Sequence, residues 1–165
     1  MISPEVLRRF PFFSKLSLEQ IQTLSKLAKE ETVDAEHFFF REEEKAEYFY
    51  LLLEGAVAIV YELPEREFDQ KISDQFMRTL QTKDVVVSTV GPGDIFGWHG
   101  IVPPFEARAG AKAVTPCRVV AFDSKLLMDE FEKDCGFGYI MTQKAAQIIS
   151  ERLRDLRIET LASVA

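Results

Sequence analysis

The spacing of apolar residues changes character twice along the chain, from helical to alternating and back to helical. Near the start, Ser3 and Pro4 precede a short run that Pro11 closes, which predicts a short helix capped by Ser3 with proline in its first position. Phe10, Phe12, Phe13 and Leu16 form an apolar cluster after it. Ser17-Leu18-Glu19-Gln20 reads as a capping box, in which the serine oxygen meets the Gln20 amide and the Gln20 side chain reaches back. Leu18, Ile21, Leu24, Leu27 and Ala28 recur at helical spacing, so an amphipathic helix is expected from Ser17 to about Glu30.

From there the period is two. Thr32-Val33 and His37 to Phe40 predict strands, with a charged turn at Arg41–Lys45. Glu47 to Leu53 is a strong strand ended by Glu54-Gly55, and Ala56 to Tyr61 is expected to answer it as a hairpin partner. In residues 62–84, Phe68, Ile72, Phe76 and Leu80 sit four apart, which allows a short amphipathic helix or an elongated hairpin tip. Val85–Val90, Ala109–Val114 and Cys117–Phe122 complete the strand-like runs. Many short strands with turn signals between them point to a barrel or jelly roll.

The end of the chain is helical again. Asp123 or Ser124 caps a helix that runs through Leu126, Leu127 and Phe131, and Gly136 and Gly138 are expected to break it. A long helix follows from Tyr139 to about Leu161. Thr142, Ala146, Ile149, Leu153, Leu156 and Thr160 make a seam with coiled-coil spacing, and Ile140, Ala145, Ile148 and Ile158 lie on another side. A helix apolar on two sides needs two partners, here its own roll and the same helix of a second copy, so residues 139–161 are the expected homodimer contact. One broad face packed on the roll is the alternative.

Composition narrows the function classes. At 165 residues and 47% hydrophobic, the chain is expected to form one domain, with N-terminal helices over 1–30, a β roll over 31–122 and C-terminal helices over 123–165. A net charge of −7 argues against direct binding to nucleic acid or to an anionic membrane surface. No run approaches a membrane span, and no signal peptide opens the chain, so a cytoplasmic protein is expected. Cys117 and Cys135 are isolated and are expected to be buried free thiols. His37 and His99 are the only histidines, too few for a cupin-type metal site, and no nucleophile motif is present. No metal site and no catalysis are expected.

The candidate chemistry lies between Gly91 and Ala113. This stretch holds five of the eight glycines, the single tryptophan and one of the two histidines. Gly97, Trp98, His99 and Gly100 follow an apolar run and give way to small residues around Arg108. Backbone amides freed by such a turn, facing one guanidinium, suit a phosphate or carboxylate. A plain glycine-rich turn with Arg108 on the surface is the alternative.

Three segments in this order resemble the cyclic nucleotide-binding domain family, which includes bacterial Crp/Fnr regulators, regulatory subunits of protein kinase A and cyclic-nucleotide-gated channels. Arg41-Glu42-Glu43-Glu44-Lys45-Ala46-Glu47 through Tyr50-Leu51-Leu52-Leu53-Glu54-Gly55 looks like the family's first conserved hairpin. Gly91-Pro92-Gly93-Asp94-Ile95-Phe96-Gly97 looks like the entry to its phosphate-binding cassette, and Glu106-Ala107-Arg108-Ala109-Gly110-Ala111-Lys112-Ala113 like the cassette's end. The resemblance is to a sensor domain standing alone, since no helix-turn-helix follows before the chain stops at Ala165.

The resemblance implies a mainly β fold with flanking helices: a double-stranded β-helix jelly roll with N-terminal helices and a long C-terminal helix. It implies a non-catalytic regulatory module that binds a small anionic ligand, with cAMP or cGMP as candidates, and acts on an effector protein through its C-terminal helix. Phe96, Gly97, Trp98, His99, Gly100, Ile101, Arg108 and Ala109 are the implied ligand-binding residues, with Arg108 as phosphate anchor. Trp98 stands where the family carries a glutamate for the ribose hydroxyl, and Ala109 where a hydroxyl residue often assists. An unmatched ribose hydroxyl costs about 1–3 kcal/mol. Two alternatives therefore stand beside ligand sensing. One is a degenerate module that serves dimerisation or docking. The other, ranked last, is a haem sensor using His99.

Overall fold

The computed structural model describes residues 1–64 and 82–164. Among them the chain forms two four-stranded antiparallel sheets in a jelly-roll-like sandwich, flanked by N-terminal helices and a long C-terminal helix. The strands are β1 (Ala28–Val33), β2 (Phe38–Phe40), β3 (Tyr48–Glu54), β4 (Val57–Pro64), β5 (Thr82–Val90), β6 (Ile95–Phe96), β7 (Gly110–Ala113) and β8 (Cys117–Asp123). The helices are α1 (Pro4–Arg8), α2 (Leu18–Leu27), α3 (Ser124–Lys133) and α4 (Cys135–Val164). One sheet runs β1-β8-β3-β6 and the other β2-β7-β4-β5.

The central strands of the first sheet, β3 and β8, are buried on both faces, which explains the unbroken apolar run of β3. Tyr50 and Leu52 point between the sheets with Val119 and Ala121 of β8. Their neighbours Phe49, Leu51, Val120 and Phe122 point the other way, into a core shared with the helices. Alternation along each strand thus divides one apolar sequence between two cores. The second core gathers Leu7, Phe13, Ile21 and Leu24 from the N-terminal segment with Leu127, Phe137 and Met141 from the C-terminal helices.

Several local expectations change. The Ser17 box forms as read: Ser17 Oγ accepts from the Gln20 amide at 3.2 Å, and the Ser17 amide donates to the Gln20 side chain at 3.0 Å. The Ser3 hydroxyl instead donates to the Glu5 carboxylate and caps no helix amide. Helix α2 ends at Leu27 rather than near Glu30, because Ala28 to Val33 pair with β8, Ala28 opposite Phe122. The expected β3–β4 hairpin does not form. Gly55 turns the chain with φ of 97° into the other sheet, where β4 pairs with β5 and β7. A side chain at Gly55 would collide with the Pro116 carbonyl, so the crossing needs glycine. The helix-or-hairpin alternative at Phe68, Ile72, Phe76 and Leu80 lies outside the described residues, while residues 62–64 and 82–84 extend the β4–β5 ladder.

Gly136 and Gly138 do not break a helix. The break falls at Asp134, whose carboxylate accepts from the Phe137 amide at 3.0 Å and so caps α4. The same carboxylate accepts from the Gln20 side chain at 3.0 Å, which lowers its pKa and ties α2 to the α3–α4 corner. A Cβ at Gly138 would come within 2.8 Å of the Phe131 Cβ, so this glycine serves close helix packing. Asp123 caps α3 by accepting from the Leu126 amide at 3.0 Å. Cys117 is buried, but Cys135 is exposed, since it opens α4 at the surface. No helix among the described residues is long and apolar enough to cross a membrane.

Candidate functional site

Between the second sheet and α4 lies a cavity of about 190 Å³. Phe40 of β2, Ile59 and Tyr61 of β4, and Val87 and Ser88 of β5 form its sheet side. Gly97, Trp98 and His99 border it from the turn after β6, and Arg108 and Ala109 from the bend before β7. Helix α4 covers it with Ile149, Arg152, Leu153, Asp155 and Leu156.

The turn is built by glycine. Gly97 adopts φ of 74°, and a Cβ there would sit 3.1 Å from the Tyr48 carbonyl oxygen. A short 3-10 turn over Trp98–Gly100 follows, in which the Gly100 amide donates to the Gly97 carbonyl at 2.9 Å and the Ile101 amide to Trp98 at 3.1 Å. Those two amides are engaged within the turn, leaving those of Trp98 and His99 outside its hydrogen bonding. Trp98 is half-buried and borders the cavity, while Phe96, Gly100 and Ile101 are buried away from it.

Arg108 is placed by its neighbours. The Ala107 amide donates to the Glu44 carbonyl at 2.9 Å, and the Glu43 amide to the Ala107 carbonyl at 2.8 Å. Ala107 is 2% exposed, and the chain bends at Arg108, which is exposed at the cavity mouth. Among the described residues Arg108 forms no ion pair, with Glu106 or with any other carboxylate. Nearby cations differ: Arg41 pairs with Glu62 and Lys112 lies 2.6 Å from Glu36.

His99 is a core residue at the cavity edge. It is 4% exposed and packs edge-on to Phe40, with ring centroids 4.4 Å apart. Burial lowers its pKa from 6.5 to about 4, so the ring is neutral at pH 7. A ring so enclosed does not fit an axial ligand to haem iron, which needs a macrocycle's width of open space before it. No group of three or more His, Cys, Asp or Glu side chains able to hold a metal occurs among the described residues.

Of the eight residues singled out in the sequence, Gly97, Trp98, His99, Arg108 and Ala109 border the cavity together. Ile149, Leu153 and Leu156, read as part of a seam for a second copy, border the cavity, while Thr142, Ala146 and Thr160 are exposed. Arg152 was missed entirely. Its one signal is an arginine set inside the apolar stripe Ile148, Ile149, Leu153, Leu156.

A family model described as cyclic nucleotide-binding domain matches residues 30–134. No curated protein sequence matches the chain. Among solved structures, a Geobacter metallireducens GS-15 protein, named as a cyclic nucleotide-binding candidate, is 29% identical. Its TM-score is 0.74, with 93% of this chain and 99% of that one covered. A cyclic nucleotide-binding domain from Methylobacillus flagellatus KT has a TM-score of 0.72 at 16% identity, covering 96% of this chain and 80% of that one. The regulatory domain of Toxoplasma gondii PKA, solved with cAMP, has a TM-score of 0.57 at 18% identity, covering 76% and 42%.

Proposed function

The chain belongs to the cyclic nucleotide-binding domain family, and on that premise we propose that the cavity between the second sheet and α4 receives a small anionic ligand whose charge is met by Arg108. The fold class is that of a regulatory, ligand-sensing module. The observation that carries the finer reading is the exposed Arg108 guanidinium at the cavity mouth, without an ion pair among the described residues. A degenerate site would give that arginine a carboxylate of its own. Residues 1–165 act as one domain in this reading, located in the cytoplasm and without catalysis.

The ligand reports itself through α4. Ile149, Leu153 and Leu156 close the cavity from the helix side, so a bound molecule that touches them favours the closed helix over other positions. Beyond the cavity, Ile158, Leu161 and Val164 are exposed and supply the apolar contact for a second copy. An effector protein would read the helix position.

Trp98 favours a second reading. Its ring borders the cavity where the family's glutamate would stand, so the module serves docking without a ligand if that ring fills the ribose position.

Calorimetry and Trp98 emission with cAMP and cGMP separate the two. Ligand sensing expects saturable binding that Arg108→Gln weakens at least about tenfold, since a lost charge-assisted contact costs about 1.5–3 kcal/mol. Absence of heat and of any emission change at millimolar nucleotide, cyclic or linear, would overturn it in favour of docking. Sedimentation of the same samples reads the dimer, and a single-chain mass with and without nucleotide would overturn that part.

A further inference from the structure

Arg152 is a second arginine at the cavity. It sits mid-way along α4, half-buried, and borders both the cavity and the adjoining cleft that contains Asp94 and Lys144. Among the described residues it forms no ion pair, whereas Arg118 meets Glu30 at 2.6 Å and Glu54 at 2.5 Å. Burial pulls its pKa below the ordinary arginine value, and the charge of Asp94 acts in the opposite sense. An arginine nonetheless stays charged, so a half-desolvated guanidinium here wants a counter-charge.

The cavity offers little of its own. Its lining near Arg152 is apolar, with Ile149, Leu153 and Leu156 on the helix. Asp155 also borders it but is exposed, so water and salt screen its charge. Arg108 on the loop side is likewise unpaired among the described residues. Two guanidiniums therefore open on one largely apolar space from two separate elements.

We propose that Arg152 is a second anion contact of this cavity, and that the ligand is a small organic body carrying at least two negative charges, met by Arg108 from the loop and by Arg152 from the helix. The proposal rests on the ligand-sensing reading above. A cyclic phosphodiester carries one charge and leaves one guanidinium unmatched. A phosphomonoester, or a molecule with two acid groups, matches both. Because Arg152 belongs to α4 and Arg108 to the sheet side, such a ligand also ties the helix to the roll.

The test titrates the full chain with cAMP, 5′-AMP and adenosine 3′,5′-bisphosphate, read by calorimetry and Trp98 emission. The first carries one charge, the second about two on one phosphate, and the third spreads its charges over two phosphates. At least one of the latter two is expected to bind about tenfold tighter than cAMP. If 5′-AMP leads, one dianionic group bridges the arginines; if the bisphosphate leads, two groups do. Arg152→Gln is expected to remove the preference, and Arg152→Lys to keep most of it. If cAMP binds as tightly as both others, or if Arg152→Gln leaves the preference intact, the dianion inference falls. The ligand-sensing reading survives that result as long as Arg108→Gln weakens cAMP binding at least about tenfold. If none of the three binds at millimolar concentration, both fall.

Discussion

The cavity has two unequal walls. On the sheet side, His99 is 4% exposed and Ile59 5%, and the Gly97 turn is held by backbone geometry that only glycine takes without strain. On the helix side, Leu153 is 66% exposed. The same contrast divides α4 along its length. Phe137, Met141 and Ala145 are fully packed against the helical core, yet no residue from Ala146 to Val164 is buried. No proline or glycine separates the halves. The difference is one of packing rather than propensity: the first half is held by buried tertiary contacts, and the second, apart from Ile148 at the edge of that core, by helix continuity and the cavity. A ligand's contacts are a small addition to the first wall and a large fraction of what holds the second. The helix wall is therefore where binding can change structure.

Truncating each half tests that division most strongly. Met141→Ala empties a fully buried site and is expected to cost about 2–5 kcal/mol in urea denaturation. Leu153→Ala, mostly exposed, is expected to stay within about 0.5 kcal/mol of the parent. Similar losses for the two would mean that the second half is packed as firmly as the first, and the distinction would be lost.

The fixed wall carries its own signature in pH. His99 has a folded pKa of about 4 against an ordinary 6.5, because burial disfavours its charged form. The unfolded chain then binds the proton first as pH falls. The stabilisation is present above pH 6.5 and is lost as pH drops from there toward 4. Between pH 7.5 and pH 5 the loss amounts to about 2 kcal/mol. The parent is thus expected to lose about that much more stability than His99→Gln over this interval. Parallel stability curves would show that the ring is solvated and the wall open.

The fold was legible where neighbours in sequence are neighbours in space. The Ser17–Gln20 box and the Asp123 cap depend on contacts three residues apart, and both form. The β3–β4 pairing was misread because two adjacent apolar strands joined at Gly55 look like a hairpin whether they stay in one sheet or change sheets. Only the longer-range choice of β8 as partner for β3 decides it. The α2 boundary failed for a similar reason: Ala28 keeps the helical phase, but its partner is Phe122, far along the chain. At the site, Arg108 stood out because it sits in a recognisable run of small residues. Arg152 did not, because an arginine on a long charged helix looks solvated until the helix is folded back over the second sheet.

A smaller effect than that of Met141→Ala or the His99 loss is expected at the joint where the anchored half of α4 begins. Asp134 accepts from the Phe137 amide and from the Gln20 side chain, both at 3.0 Å, so one carboxylate caps α4 and fastens it to α2. Gly136 and Gly138, helix-weakening on their own, lie just inside that cap. The cap therefore offsets a local deficit at the point from which the whole lever extends. Asp134→Ala is expected to cost about 1 kcal/mol in urea denaturation, within the range for a lost helix cap. It should also raise amide exchange in the first turn of α4 without altering exchange beyond Ile149. Faster exchange along the entire helix would show that the outer half depends on this joint rather than on the cavity, and the two halves of α4 would then be one unit.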